Sequence, residues 1–241
     1  MSEARTVVVT GGTRGLGREI VRAFAARGDR VWSVARATPD AAEPSGLPVQ
    51  HRVADVRQRE QLDVIVAEIR AGGVAIDVWI NNAGFGRPVP FHDADNALWA
   101  EMFDVNFWGT VHGTRAALGG LRRPGGVIIN IASVAGLMAP RGHSAYATAK
   151  AAVIALTRAN AVEYAAEGVR VNAVAPGPLD TEGFRAAGGD PVKRAQTIPT
   201  RKMITPAEVA AACMFLAEPH GSISGQTLLI DGGAHAAGCY V

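Results

Sequence analysis

The stretch "TVVVTGGTRGLGRE", residues 6–19, governs the reading of the whole chain. A run of β-branched residues leads into a cluster of glycines, and the glycines lead into "GREIVRAFAARG" (17–28), where Ile20, Val21, Phe24 and Ala25 share one helical face. Strand, glycine turn and helix, in that order, form the context in which a glycine-rich stretch carries meaning. With no side chains at Gly11, Gly15 and Gly17 the backbone can approach a pyrophosphate, whose charge a helix N-terminus favours. Thr13, Arg14 and Leu16 belong to the same turn. The spacing is G-x-x-x-G-x-G and departs from the common dinucleotide pattern G-x-G-x-x-G, so a plain tight turn stays open as the second reading.

Six further apolar runs follow: "RVWSVA" (30–35), "VQHRVADV" (49–56), "IDVWIN" (76–81), "GVIINIAS" (126–133), "VRVNAVA" (169–175) and "TLLID" (227–231). Segments of helical periodicity lie between them. Continuous apolar strands alternating with amphipathic helices predict an α/β fold, a doubly wound parallel sheet covered on both faces. No repeat of fixed period is present, and 241 residues suit one domain. The long stretch without a clear pattern, 178–204, carries Gly, Pro and charges and is expected to be a substrate lid. It ends at "TPAEVAAACMFLA", where Thr205 and Pro206 read as a helix N-cap and first turn.

Apolar residues at 48% and charged residues at 19% suit a folded globule. A net charge of +2 without a basic block removes the electrostatic motive for nucleic acid or a membrane surface. No apolar run approaches a membrane span, and the N-terminus lacks the apolar core of a leader. Cys213 and Cys239 have no metal-ligand spacing, and no metal site is expected. These features predict a reduced, cytoplasmic protein.

Where a carboxylate would bind the adenosine ribose hydroxyls, the second strand ends in "SVARA", with Ala35 and Arg36. Nothing there repels a 2′-phosphate, and Arg36 with Arg14 can clamp one through charge-assisted, forked donors. NADP(H) is therefore expected over NAD(H), unless both arginines are merely solvated.

Together with the glycine turn, "NNAG" (81–84), Asn106 in "DVNFWG", Ser133 in "NIASVAG", "YATAK" (146–150) and "VAPGPLDT" (174–181) make the chain resemble the short-chain dehydrogenase/reductase family over its whole length. The overall pattern most resembles 3-oxoacyl-thioester reductases. The resemblance implies a single Rossmann-type domain with a seven-stranded parallel sheet and a homotetramer. It implies a reaction in which hydride passes between nicotinamide and a ketone or secondary alcohol. By the same resemblance Asn106, Ser133, Tyr146 and Lys150 match the catalytic tetrad. Asp55 and Val56 match the adenine contact, and Asn82, Ala83 and Gly84 the turn beside the adenine ribose. Pro176, Gly177 and Thr181 match the stretch at the nicotinamide carboxamide. Tyr146 and Lys150 are also expected at the cofactor.

The chain has only three lysines, yet Lys150 lies four residues after Tyr146, one helical turn on. An ammonium at about 4 Å in an effective dielectric near 20 favours the phenolate by about 4 kcal/mol before desolvation opposes it. The nearby helix start favours negative charge too. Both effects predict a phenol with a pKa below its usual value near 10, suited to general acid/base work. Ser133 would hold the substrate oxygen, and Asn106 a water that refills the proton through Lys150.

Phe85, Met138, His143 and Phe184 are candidates for the substrate pocket, with ordinary packing as the alternative. The remaining histidines read as core or surface residues, and Trp99 and Trp108 as core or subunit contacts. Two other functions stay open at this point: an oxidative alcohol dehydrogenase of a specialised pathway, and a catalytically silent dinucleotide sensor, which the complete tetrad disfavours.

Overall fold

Each of the seven apolar runs forms a strand in the computed structural model, which describes residues 4–39, 46–186, 188–219 and 221–238. In chain order the elements begin with β1 (Thr6–Thr10), α1 (Gly15–Ala26), β2 (Arg30–Ala35), β3 (Val49–Val53), α2 (Arg59–Ala71) and β4 (Val78–Asn81). Then come α3 (Asn96–Phe103), a π-helical turn (Asp104–Trp108), α4 (Gly109–Leu118), β5 (Val127–Ile131), α5 (Ser144–Glu163) and β6 (Arg170–Pro176). The chain closes with α6 (Glu182–Ala186), α7 (Pro191–Ala195), α8 (Pro206–Ala217) and β7 (Thr227–Ile230). Cys239 lies outside the described residues.

All strands are parallel, in the order β3-β2-β1-β4-β5-β6-β7. The direction of winding reverses between β1 and β4, so the carboxyl ends of those two strands open the crevice where ligands of such sheets bind. Alternation along β1 feeds two cores. Val7 and Val9 pack with Ile20, Val21 and Phe24 of α1 and with Val209, Cys213 and Leu216 of α8. Val8 faces the other way, towards Leu62, Ile65 and Ile69 of α2 and Ala116 and Ala117 of α4.

Four strands are shorter than their apolar runs. Ala54, Val56 and Ile76 are buried outside the ladders, with Ile76 forming a lone bridge to Leu121. Their apolar character reflects packing under neighbouring helices and not strand pairing. The 178–204 stretch is more structured than the absence of a pattern implies. Asp190 accepts hydrogen bonds from the Val192 and Lys193 amides, and Pro191 opens α7. Leu179 and Ile204 form a parallel bridge, and Ile198 is fully buried. Among the described residues no helix is long and apolar enough to cross a membrane.

Candidate active site

The glycine turn shows why its residues are small. Gly11 and Gly15 have positive φ (68° and 52°). A methyl on Gly17 would lie 2.0 Å from the Gly11 carbonyl oxygen, and one on Gly12 would lie 2.5 Å from Ser33 Oγ. Gly12 is a glycine whose need sequence reasoning missed, although the Gly-Gly doublet signals it. Around Gly15, by contrast, the space is open. Helix α1 has no side-chain cap and no acidic residue in its first turn. Its first helical amide bond is Arg18 N–H to the Arg14 carbonyl at 3.2 Å, which leaves the amides of Gly15, Leu16 and Gly17 for an external acceptor. Open space over uncapped amides is what a dinucleotide pyrophosphate needs.

The neighbouring turns are held in register with this one. Thr10 Oγ1 accepts from the amides of Asn82 (3.0 Å) and Ala83 (3.1 Å), and Asn82 Nδ2 donates to the carbonyls of Thr10 (2.9 Å) and Gly11 (3.2 Å). Thr10 and Asn82 thus lock the ends of β1 and β4 together. Beneath them runs a buried polar chain. Trp79 Nε1 donates to Asn81, Asn81 to Thr114 and Asn130, and Asn130 to Thr157.

Arg14, in the turn after β1, and Arg36, at the exit of β2, are exposed. Asp55 is chelated by Arg57, whose hydrogen bonds, together with the charge of Arg36, hold its carboxyl below the usual range against the opposing effect of burial. Val56 is buried, and its carbonyl contacts His112 Nδ1 at 3.0 Å. On the far side of the crevice, Pro176 ends β6. Gly177 N–H donates to the Ile230 carbonyl at 2.9 Å, and a methyl on Gly177 would crowd the Asp231 Cα at 3.0 Å. Thr181 Oγ1 accepts from the Phe184 amide at 3.1 Å.

Three expected catalytic residues meet at the carboxyl end of β5. Ser133 Oγ accepts from the Ala135 amide at 3.1 Å, which leaves its hydroxyl proton free to donate, and Ser133 lies near enough to the Tyr146 phenol to favour its ionised form. Tyr146 lies in the first turn of α5, and Lys150 follows one turn on, almost fully buried. Asn106 completes the group from the π-helical turn, a distortion that often marks functional positions. A methyl on Gly84 would lie 2.7 Å from Asn106 Oδ1 and 3.2 Å from Lys150 Nζ, so Gly84 lets these two side chains meet.

Two electrostatic expectations need correction. The Tyr146 phenol is held above its usual pKa by burial, and the nearby Ser133 only opposes this. The ammonium of Lys150 is turned to the Ile131 carbonyl, at 2.8 Å, and stands 5.8 Å from the centre of the tyrosine ring. Burial pulls Lys150 itself down to about 8. The Asn106 amide, expected to hold a water, is largely committed. Its Nδ2 donates to the Phe85 and Met102 carbonyls, both at 3.0 Å, and its Oδ1 accepts from the Phe85 amide at 3.2 Å. One Oδ1 lone pair remains.

Of the four pocket candidates, Phe85 shares an apolar cluster with Tyr146 and His143 pairs with its ring. Phe85 packs with Tyr146 around Leu98, Met102 and Ala145. The His143 ring stands edge-on to Tyr146 at 6.3 Å, with Nδ1 2.9 Å from the Arg141 carbonyl. Met138 follows the turn at Val134–Gly136, and Phe184 lies in α6 with its ring over Gly189. Cavities of about 370 Å³, beside Trp108 and His112, and about 580 Å³, beside Arg27 and Arg170, lie away from Tyr146. Among the described residues no group of three or more His, Cys, Asp or Glu side chains is placed to hold a metal ion.

Comparison with known proteins matches this arrangement. A family model described as enoyl-(acyl carrier protein) reductase fits residues 11–235. The chain belongs to the short-chain dehydrogenase/reductase family. It is 39% identical to a 3beta-hydroxysteroid dehydrogenase 1 of Eggerthella lenta, covering 96% of this chain and 94% of that protein. It is 34% identical to the 3-oxoacyl-[acyl-carrier-protein] reductase FabG of Vibrio harveyi over 97% of this chain and 98% of the other. Among solved structures, ElxO with NADP bound superposes with a TM-score of 0.87 at 28% identity, covering 97% of this chain and all of that one (100%). The reaction class of this family member is hydride transfer between a nicotinamide dinucleotide and a ketone or secondary alcohol.

Proposed function

We propose that this chain is an NADP(H)-dependent ketone reductase/secondary alcohol dehydrogenase in which Tyr146 exchanges the proton. The observation that carries the reading is the convergence of Ser133, at the end of β5, with Tyr146 in the first turn of α5 and Lys150 buried one turn further along the same helix. When bound, the nicotinamide supplies or accepts the hydride and, oxidised, carries a positive charge. A ketone whose oxygen sits between Ser133 and Tyr146 accepts two hydrogen bonds. As negative charge grows on that oxygen, the phenol proton of Tyr146 would pass to it. A phenol kept protonated by burial suits the reducing direction. Lys150 holds the ribose hydroxyls and passes a proton towards the phenolate, and Asn106 fixes the backbone at Phe85 that walls the site. Phe85 and His143 border the substrate, and the segment 178–204 covers it, with Met138 and Phe184 at its margins.

The preference for NADP(H) rests on Arg14 and Arg36, exposed after β1 and β2, with Arg36 close enough to Asp55 to act on its carboxyl, and on the lack of an acidic residue at the end of β2. The NADP complex of ElxO supports it. The homotetramer is supported by exposed aromatic surface on the α3–α4 segment and by exposed alanines on α5, and a cytoplasmic setting by Cys213, a free, buried thiol.

The test is oxidation of NADPH and NADH by the purified protein with ketones and 3-oxoacyl thioesters, using Tyr146→Phe as control. Tyrosine-dependent turnover faster with NADPH is expected. Equal turnover by the Phe variant would remove the reading.

A further inference from the structure

The 178–204 segment meets the rest of the chain in two ways. The two ends of the segment are stitched to each other and, through Thr200, to the body of the fold. Asp180 N–H donates to the Ile204 carbonyl (3.0 Å), Ile204 N–H to the Pro178 carbonyl (3.1 Å) and Thr200 N–H to the Gly232 carbonyl (3.3 Å). Its tip, α6, is braced internally by the Arg185–Asp180 ion pair and the Thr181–Phe184 hydrogen bond. From α6 one bond crosses to the other side of the crevice: Arg18 Nη2–H donates to Glu182 Oε1 at 3.2 Å. Arg18 belongs to the first turns of α1, immediately after the Gly15–Gly17 amides. Its side chain is largely covered (23% exposed), whereas that of Glu182 is 76% exposed.

We propose that the Arg18–Glu182 pair is a strap that holds α6 over the glycine turn and slows release of the dinucleotide, with Arg18 as a positioning residue. This rests on the cofactor reading above. Placement supports the idea, because the bond joins the covering segment to the helix whose open N-terminus faces the pyrophosphate. Its strength supports it too. An ion pair at the surface is weak and screened by salt. That suits a contact which must open once in each turnover, where opening of a covering segment limits product release. A rival role for Arg18, direct contact with a phosphate, is separated by changing Glu182 alone.

The experiment is stopped-flow release of NADPH, followed by its fluorescence during a chase with excess NADP+, at low and high salt. Wild type is compared with Glu182→Gln, Arg18→Glu and the exchange Arg18→Glu/Glu182→Arg, with melting temperature as a check on folding. At low salt Glu182→Gln should release NADPH about two- to fivefold faster, the range an exposed ion pair allows. High salt should erase the difference, and the exchanged pair should recover much of the wild-type rate. Wild-type release by Glu182→Gln at low salt, with weaker binding only in Arg18→Glu, would make Arg18 a direct ligand and overturn the strap. Failure of the wild type to bind NADPH at all would instead overturn the cofactor reading, and the strap with it.

Discussion

Lys150 is the residue at which function and stability part company. Its ordinary value of 10.5 falls to about 8 because the ammonium is buried with one carbonyl for a partner. That difference corresponds to a cost of about 3 kcal/mol for carrying the charge in the folded state. Between about pH 8 and 10.5 the unfolded chain binds the extra proton, so this group's contribution makes stability rise with pH across that window; below it, the full cost is present. Lys150→Met should therefore unfold no more easily than wild type at pH 7 while losing nearly all turnover, and its relative advantage should shrink towards pH 10. Urea denaturation at several pH values checks this, and a variant several kcal/mol weaker at pH 7 would contradict it. The same burial predicts the activity profile. Tyr146 stays protonated through neutrality, so ketone reduction should be level there and fall above about pH 8 as Lys150 loses its proton. A plateau of kcat extending to pH 10 would free the lysine from any proton relay. The Tyr-x-x-x-Lys spacing was legible in the sequence, but the direction of the tyrosine shift was not. Spacing along a helix says that two side chains share a face, not how deeply the face is buried or which carbonyl the ammonium finds.

At the scale of elements, local chemistry was readable where one residue dictates it. Thr205 and Glu208 form a reciprocal capping box at the start of α8, with Pro206 in its first turn, as the Thr-Pro pair predicts. Thr205→Ala should cost about 1 kcal/mol and lower the melting temperature by about 2–4 °C, which calorimetry would detect. The glycine turn was equally readable, and its tightest point is Gly17. Gly17→Ala places a methyl 2.0 Å from the Gly11 oxygen, and backbone must shift to relieve it. The expected result is at least tenfold weaker NADPH binding, about 1.4 kcal/mol, measured by fluorescence titration, with the fold retained. Unchanged affinity would mean that the turn does not hold the pyrophosphate. The π-helical turn at Asn106 and the polar chain from Trp79 to Thr157 left no such trace in the sequence. Both depend on partners more than 20 residues away, Phe85 for Asn106 and Thr157 for Asn130, which periodicity cannot register.

For the whole molecule, the alternation of apolar runs and amphipathic segments was enough to order seven strands into a doubly wound sheet, because parallel connections leave few alternatives. It could not say which helix faces stay uncovered. In the structure a ladder of rings runs from Phe91 through Trp99, Phe103 and Phe107 to Trp108 and His112, with successive centroids 5.3 to 6.3 Å apart. Phe91 and Trp108 remain 69% and 45% exposed. On neighbouring α5, Ala151, Ala155 and Ala159 are exposed one turn apart, a smooth stripe that lets a second helix approach closely. Large exposed rings beside small residues suit a self-complementary contact, the kind a two-fold axis repeats. If the protein is a tetramer built on this face, Trp108→Glu or Ala155→Glu should place charges against their own copies and split it into dimers. Light scattering on the eluting protein would then report half the wild-type mass, with the circular dichroism spectrum unchanged. Wild-type mass for both variants would move the assembly to another face, and a monomeric wild type would remove the tetramer altogether.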